Sequence, residues 1–443
     1  MTEKELAEAT ARAIIGIDTL WGGDVQSASG TGRFIADSWF SDEPLPDAYS
    51  HPTAQPVRSS GGVSADSPDL AAIDAYLSAV DVHGAIAEVA GHAGQIGGLR
   101  GAYLEGLALC FEVMWDLAME IAGRGEPVPY SRCVTASTGR PPEPSDPTAK
   151  RKRVEELLDR AGYRSGRDLL EAVDAWRRDR LVAKPDIPSR GAALIAELDQ
   201  LTQKNLLPHL PEPLRQVPRA NVTFLPIENA WFSGSMNYLG RARTDAGLPE
   251  YEATYELNAA LEISDPEFVQ LVSHEVVPGH VTTFAYLQNC YVRQQVGFEA
   301  TVLTMNTRAA SLFEGIANNA ILIAHGVHEI DELPGDDLIL GVLLALLQDD
   351  AKNQSSYLTW HEGRPQAEVA KVLRNDYLCS DERADKLSGA WGRHPLLGRM
   401  YLPAYRAGTD LVAKLRRERP DPEILPLLYG AAGLVDMVTL QTL

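Results

Sequence analysis

Leu271-Val272-Ser273-His274-Glu275-Val276-Val277-Pro278-Gly279-His280 places two imidazoles, a carboxylate and a helix-breaking Pro-Gly pair inside one apolar segment. In the arrangement His-Glu-x-x-His, two histidines at i and i+4 share one helix face and ligate zinc, while the glutamate acts as a base. Here the second histidine comes at i+6. A regular helix turns about 100° per residue, so i+6 lies about 120° away from the first position. On an undistorted helix His274 and His280 cannot share one ion. Pro278 has no N–H to give and its ring collides with the preceding turn, and Gly279 accepts backbone angles that other residues refuse. The pair predicts that two extra residues loop out as a bulge, which carries His280 to the place of the usual second ligand. The plainer alternative is a core histidine beside a kink, with His280 capping the turn.

Ser264-Asp265-Pro266-Glu267 has the form of a helix start: a Ser or Asp cap, Pro in the first turn and Glu completing a capping box. The helix is therefore expected to begin near Pro266, about two turns before His274, and to resume through Thr282, Phe284 and Leu287. A second long helix is expected from roughly Thr301 to His325. It carries Glu314 among Ala310, Leu312, Phe313, Ile316, Ala317, Ala320 and Ile321. A carboxylate in such company is expensive to bury unless paired or metal-bound, so Glu314 is a third-ligand candidate; the alternative is an exposed stripe. Asn318, one turn on, is placed to hold Glu314 or a substrate. Residues 221–226 and 252–257 look like strands, with an aromatic loop over 231–238 between them.

His274-Glu275-Val276-Val277-Pro278-Gly279-His280 resembles the signature of a large bacterial family of zincin-like proteins distantly related to carboxypeptidase Taq. That family carries a second motif, Glu-Gly-Trp-Ala-Leu-Tyr, whose Glu is taken as the third zinc ligand. The matching piece here is Phe313-Glu314-Gly315-Ile316-Ala317-Asn318-Asn319, with Ile316 and Asn319 in place of the Trp and Tyr, a departure that touches the family's substrate pocket. A third element, Ala-Tyr-x-x-Gly, is matched by Ala404-Tyr405-Arg406-Ala407-Gly408. The resemblance runs from the strands before the metal helix to about residue 417. It implies a mostly α, zincin-like (gluzincin) metallohydrolase with a small β-sheet beside the metal helix, whose edge strand holds an extended substrate or merely covers the core. One zinc ion would be held by His274, His280 and Glu314, with Glu275 as base on the metal-bound water. Tyr405, with Tyr401 one turn earlier, would be the catalytic phenols that donate to the oxyanion, unless they only pack at a helix interface. The implied reaction is cleavage of an amide bond in a peptide or peptide-like substrate. Two alternatives stand beside it: a zinc enzyme acting on a small non-peptide metabolite, and a non-catalytic metal-stabilised binding protein. Nitrogen and carboxylate ligands also accept manganese, iron or cobalt.

The rest of the chain sets bounds. With 443 residues there is material for a large core, and a net charge of −21 argues against nucleic acid and anionic membranes as partners. The basic run Lys150-Arg151-Lys152-Arg153 reads in that setting as a solvated first turn. Cys110, Cys133, Cys290 and Cys379 are far apart and form no metal-type pair, so free buried thiols are expected. No signal-peptide pattern or membrane-length apolar run is seen, and the expected location is cytoplasmic. An N-terminal helical subdomain (1–212) is expected to cover a catalytic region (213–443), the two forming one compact unit. Helices are expected over Glu3–Leu20, 69–81, 84–98, 100–124 (with Tyr103 to Met119 in the core), two over Lys150–Arg180, and one over Ala192–Leu207. Ser41–Pro68 and Thr135–Pro147 read as Pro-rich surface connections. Toward the C-terminus, Gly335–Leu347 reads as a core helix continuing to about Tyr357, and Pro365–Asp376 as an amphipathic one. Leu396–Arg417 reads as a helix kinked at Pro403, and Pro426–Leu443 as a packing helix. His325 and His328 suit a helix C-terminus better than a metal, His361 suits the surface, and Arg406 or Arg393 is available for a substrate carboxylate.

Overall fold

The computed structural model describes residues 2–29, 32–228, 234–258 and 260–443. The chain is mostly α-helical. The N-terminal part runs through α1 (Glu3–Leu20), β1 (Ala36–Trp39), the short α2 (Asp47–Ser50) and α3 (Ala54–Ser60), α4 (Leu70–Ala79), α5 (Val82–Ile96) and α6 (Gly98–Ile121). It continues with α7 (Tyr130–Thr138), α8 (Thr148–Arg160), α9 (Leu169–Asp179), α10 (Ile187–Asn205) and the short α11 (Glu212–Arg215). Then come β2 (Val222–Ile227), β3 (Gly234–Tyr238), β4 (Ala253–Asn258), α12 (Asp265–Glu275), α13 (His280–Val292), β5 (Val302–Thr304) and α14 (Arg308–His325). The chain closes with α15 (Asp336–Ser356), α16 (Gln366–Asp376), α17 (Asp381–Ser388), α18 (Leu402–Glu418) and α19 (Asp421–Leu428).

One contiguous core crosses residue 212, taking in Ile14 and Ile17 of α1, Phe111 of α6, Phe268 of α12, Ile316 of α14 and Leu344 of α15. Two small sheets lie against it. In the first, order β2-β4-β3, β2 runs parallel to β4 and β3 antiparallel to it. β3 begins at Gly234, inside the stretch expected to be a loop; residues 231–233 of that stretch lie outside the described residues. In the second sheet β1 pairs antiparallel with β5, with an irregularity between Ala36 and Ser38. A bulge of this kind turns the extra side chain out of alternation, and here that residue is Asp37.

Several expectations are corrected. Ser41–Pro68 is not a structureless surface loop: it forms α2 and α3 and buries Ala48, Ala54, Val57 and Val63. Thr135–Pro147 starts inside α7, and Ser145 in its extended part is buried, held by Gln354 and Asn353. The second long helix begins at Arg308 and not Thr301, because Val302–Thr304 joins a sheet and Thr307 accepts a hydrogen bond from the Ala310 N–H as the cap. The last α-helix, α19, starts ahead of Pro426 and ends at Leu428, and the rest of the expected packing helix is turns and irregular chain closed by a 3-10 turn over Thr439–Thr442. α17 was not anticipated at all.

The basic run lies in the first turn of α8 as expected, but only Lys152 is solvated: Lys150 pairs with the buried Asp350 at 2.7 Å and the half-buried Arg153 with Asp331 at 2.6 Å. All four cysteines are free and buried. Among the described residues no single helix is long and apolar enough to cross a membrane; α4 and α5 pass that test only as a pair bent by 47°.

Candidate metal centre

The Pro-Gly pair ends one helix and starts another, where a bulge within one helix was expected. α12 stops at Glu275 and α13 starts at His280. Backbone groups freed by the break find partners: the Gly279 N–H reaches the Ser273 carbonyl, Thr282 donates to Val276 from both backbone and hydroxyl, and the buried Tyr429 hydroxyl donates to the Pro278 carbonyl at 2.8 Å. Gly279 has φ −76°, so it is not here for a left-handed angle; a Cβ at this position would overlap the His274 carbonyl oxygen. Its role is close approach of backbone to backbone.

The break brings the two imidazoles together edge to face, ring centroids 4.8 Å apart with planes at 90°. Glu314 comes in from α14. Its Oε2 lies 3.4 Å from His274 Nε2 and 3.8 Å from His280 Nε2. These distances exceed the 2.7–3.2 Å of an ordinary N–H···O hydrogen bond. They are close to the separation of about 3.4 Å that two ligand atoms show when each sits about 2.0–2.2 Å from a tetrahedral zinc ion. Glu314 is 5% exposed and its Oε2 has no hydrogen-bond partner, a state that is costly for a buried carboxylate oxygen unless a cation meets it. The donor set therefore fits a metal ion. His274, Glu275 and His280 also offer one atom each within 4.8 Å of one another, so two carboxylates compete for the third position. Glu314 Oε2 is the better ligand, because it faces both Nε2 atoms while its other oxygen is held elsewhere.

Second contacts fix these groups. His274 Nδ1 is 2.8 Å from Asn318 Oδ1, and Asn318 Nδ2 donates to Thr409 Oγ1 at 2.8 Å. Asn318 thus holds His274, where Glu314 or a substrate was the expected partner, and leaves the His274 Nε2 to face the cluster. His280 stacks on Phe284, planes 3° apart, and Phe284 meets Phe313 edge-on. Tyr401 donates to Glu314 Oε1 at 2.5 Å, and Tyr405 donates to the Tyr401 hydroxyl at 3.1 Å. A carboxylate can only accept, so both phenol protons are committed along this chain. Here Tyr401 is the phenol that touches the cluster, and Tyr405, the stronger candidate by resemblance, stands behind it.

The two motifs Glu314-Gly315 and Tyr405-Arg406-Ala407-Gly408 share one cause. α14 and α18 cross with their backbones in contact at Gly315 and Gly408: a Cβ on Gly408 would overlap the Ser311 carbonyl oxygen and lie 2.8 Å from the Gly315 nitrogen. That closeness is what brings phenols on and beside α18 within reach of a carboxylate on α14. A π-helical turn over Leu397–Tyr401 leads into α18, with Pro403 in its first turn.

Charge around the cluster favours a cation. Burial works against a charged His274, but Glu314, Glu275 and Asp349 outweigh it and push the imidazole up to about 9. Burial also acts on Glu314, yet the two imidazoles hold it well below the usual carboxylate range. Burial raises the Glu275 carboxyl, and His274 and His280 oppose it. Burial keeps Tyr401 and Tyr405 neutral, far above the ordinary phenol range.

The cluster opens on a cavity of about 720 Å³. Its walls include residues that pattern reading passed over: Asp37 from β1, Asp349 and Lys352 from α15, and Arg383 from α17. The signal for two of them was present in Asp349-Asp350-Ala351-Lys352, charges on the run of an apolar core helix. Arg406 and Arg393 do not line it; Arg406 holds the Pro144 carbonyl and Arg393 the Arg364 carbonyl. His325 is half-buried and outside the cluster, His328 lies 2.7 Å from the Arg416 carbonyl, and His361 is exposed.

No protein-family model matches the sequence, and no curated protein matches it. Among solved structures the chain is similar to a "putative lipoprotein" from Colwellia psychrerythraea, with TM-score 0.51, 14% identity, and coverage of 77% of this chain and 60% of that one. It is also similar to a "putative lipoprotein of unknown function" from Shewanella oneidensis, with TM-score 0.49, 13% identity, and coverage of 91% and 79%. The chain spans 60% of the length of the first of these, and at such identity the likeness concerns the fold alone.

Proposed function

We propose that this protein is a metal-dependent hydrolase of the zincin type, with one zinc ion held by His274, His280 and Glu314, that cleaves an amide bond in a peptide or peptide-like substrate. The observation that carries the proposal is a buried Glu314 Oε2 without a hydrogen bond, 3.4 and 3.8 Å from two imidazole nitrogens on separate helices, with Glu275 beside them. The resemblance to the zincin-like family rests on the same residues. A zinc ion in this place supplies Lewis acidity, polarising a carbonyl and acidifying water.

The other steps belong to side chains. Glu275 takes the proton of the attacking water and returns it to the leaving amine. Asn318 holds His274 in one ring orientation. Tyr401 pins Glu314 Oε1, which leaves Oε2 for the metal. Tyr405, at the outer end of the chain of phenols, can turn its proton toward a developing oxyanion without uncovering Glu314.

The test is Glu275→Gln in purified, zinc-loaded protein, assayed by mass spectrometry on a panel of short peptides and simple amides. Loss of turnover with metal retained is the expected result. Unchanged turnover excludes Glu275 as the base, and activity confined to the non-peptide amides moves the substrate to a small metabolite. The cytoplasm is the location proposed, in keeping with four free thiols; the lipoprotein description of the structural neighbour points the other way, and cell fractionation decides it.

A further inference from the structure

After burying Leu343, Leu344 and Leu347, α15 carries a pair of opposite charges in the same buried setting. Lys352 is 8% exposed, and its ammonium lies 2.8 Å from Asp349 Oδ1, its one hydrogen-bond partner among the described residues. The same ammonium sits 3.2 Å from the centroid of the Tyr405 ring, and both residues line the cavity. Burial works against the charge on Lys352, and Asp349 opposes that. A buried pair of this kind stabilises a fold no better than apolar side chains of the same volume, so packing alone does not account for it. Contacts lead from Lys352 to the cluster. Beyond the ring, the Tyr405 hydroxyl is 3.1 Å from that of Tyr401, Tyr401 is 2.5 Å from Glu314 Oε1, and Glu314 Oε2 is 3.4 Å from His274 Nε2. The charge is felt there too: Lys352 pulls the Glu275 carboxyl down, and Glu314 in turn supports the ammonium.

The two phenols hold their protons differently. Tyr401 meets Glu314 at 2.5 Å, as short as a bond to a charged oxygen becomes. The 3.1 Å from Tyr405 to Tyr401 lies outside the usual range of about 2.5–3.0 Å for an O–H···O bond. The Tyr405 proton is therefore the one that leaves its partner at small cost when a better acceptor arrives. An ammonium above the ring centre stands about 4 Å from the phenol oxygen and draws on the electrons of the ring. An O–H on a ring so polarised is a stronger donor, and a developing oxyanion is the acceptor that gains most from it. We infer that Lys352 is a positioning residue for the hydrolytic step: held by Asp349, its ammonium fixes and polarises the Tyr405 ring, so that Tyr405 and not Tyr401 donates to the oxyanion. This rests on the hydrolase reading above. Lys352 acts through the ring, and no bond to it forms or breaks.

The experiment measures kcat and KM separately on the short peptide or simple amide that wild type cuts best. The zinc-loaded variants are Lys352→Met, Lys352→Arg, Tyr405→Phe and the Lys352→Met/Tyr405→Phe double variant. Because Lys352→Met strands a buried carboxylate, Asp349→Asn/Lys352→Met is measured beside it. Tyr405→Phe is expected to lower kcat by about 100- to 1000-fold, the range for one oxyanion donor. Lys352→Met and Asp349→Asn/Lys352→Met should each lower kcat by about 10- to 30-fold, the effect of a desolvated cation over a ring, with KM, melting temperature and zinc content as in wild type. Lys352→Arg keeps a cation that stacks on the ring and should recover most of the loss. In the Tyr405→Phe background, removing Lys352 should cost nothing further, since the two act as a unit. A double variant whose losses multiply overturns the inference, as does a rise in KM at unchanged kcat, which would make Lys352 a substrate contact. So does a kcat untouched by the loss of Lys352, or a loss that follows melting temperature or zinc content in both methionine variants. In each of these cases turnover that Glu275→Gln abolishes still upholds the hydrolase. A wild type that cuts no substrate overturns both.

Discussion

Gly408→Ala perturbs the contact on which the site is built. The added Cβ would overlap the Ser311 carbonyl and stand 2.8 Å from the Gly315 nitrogen and 3.0 Å from its Cα. All three obstacles are backbone, so no side-chain rotation relieves the overlap and α14 and α18 must part by about 1 Å. Overpacking of this type costs about 1–3 kcal/mol. The same separation stretches the Tyr401–Glu314 bond from 2.5 Å to beyond hydrogen-bonding distance, at about 1.5–3 kcal/mol for a bond to a charged group. Alanine recovers about 1 kcal/mol of helix propensity. The expected net loss is about 1.5–5 kcal/mol, read as a lowered urea midpoint together with weaker zinc retention. Gly91→Ala is the control: this exposed helical glycine in α5 has nothing within 4 Å of a built Cβ, and alanine should leave stability equal or raise it by up to about 1 kcal/mol. If Gly408→Ala is as stable as wild type and keeps its metal, the crossing does not set the site.

Asn318→Ala leaves His274 Nδ1 without its 2.8 Å partner and should weaken zinc affinity by about 10- to 100-fold, measured by competition with a chelator, with little change in melting temperature after zinc loading. His394 is half-buried beside Trp21 and Phe34, accepts the Leu396 and Leu397 N–H groups at Nδ1, and has its imidazole pushed down by desolvation to about 4. The unfolded chain binds this proton below about 6.5 and the folded one only near 4. Its contribution is therefore complete above pH 6.5 and lost as pH falls toward 4, by about 3 kcal/mol. Urea titrations from pH 7 to 4 should show His394→Asn, which keeps an acceptor, losing less stability than wild type across that window; parallel curves would count against it.

The two clustered histidines and the glutamate beside them were legible because residue type, spacing and a helix breaker coincide within ten residues. Glu314 was legible from its apolar neighbours. The form of the break was not: whether Pro278-Gly279 makes a bulge or splits the helix depends on Tyr429 and Ser273, which lie outside the local pattern or look ordinary within it. Asn318 was singled out with the wrong partner, since only the rotation of α14 against α12 and α18 decides between His274 and Glu314. Short strands such as β1 and β5 escape a period-2 reading, and the parallel register of β2 with β4 has no signature within either strand. Arg383 escaped because nothing local distinguishes a solvated arginine from one that faces a cavity.

The account depends most on one cation shared by His274, His280 and Glu314. Its most direct measurement is the metal content of purified protein after zinc loading and gel filtration, by mass spectrometry of the elements, for wild type, His280→Ala and Glu314→Ala. The account predicts one equivalent in wild type and well under half an equivalent in each folded variant. A full equivalent retained by both variants, or none taken up by wild type, contradicts it.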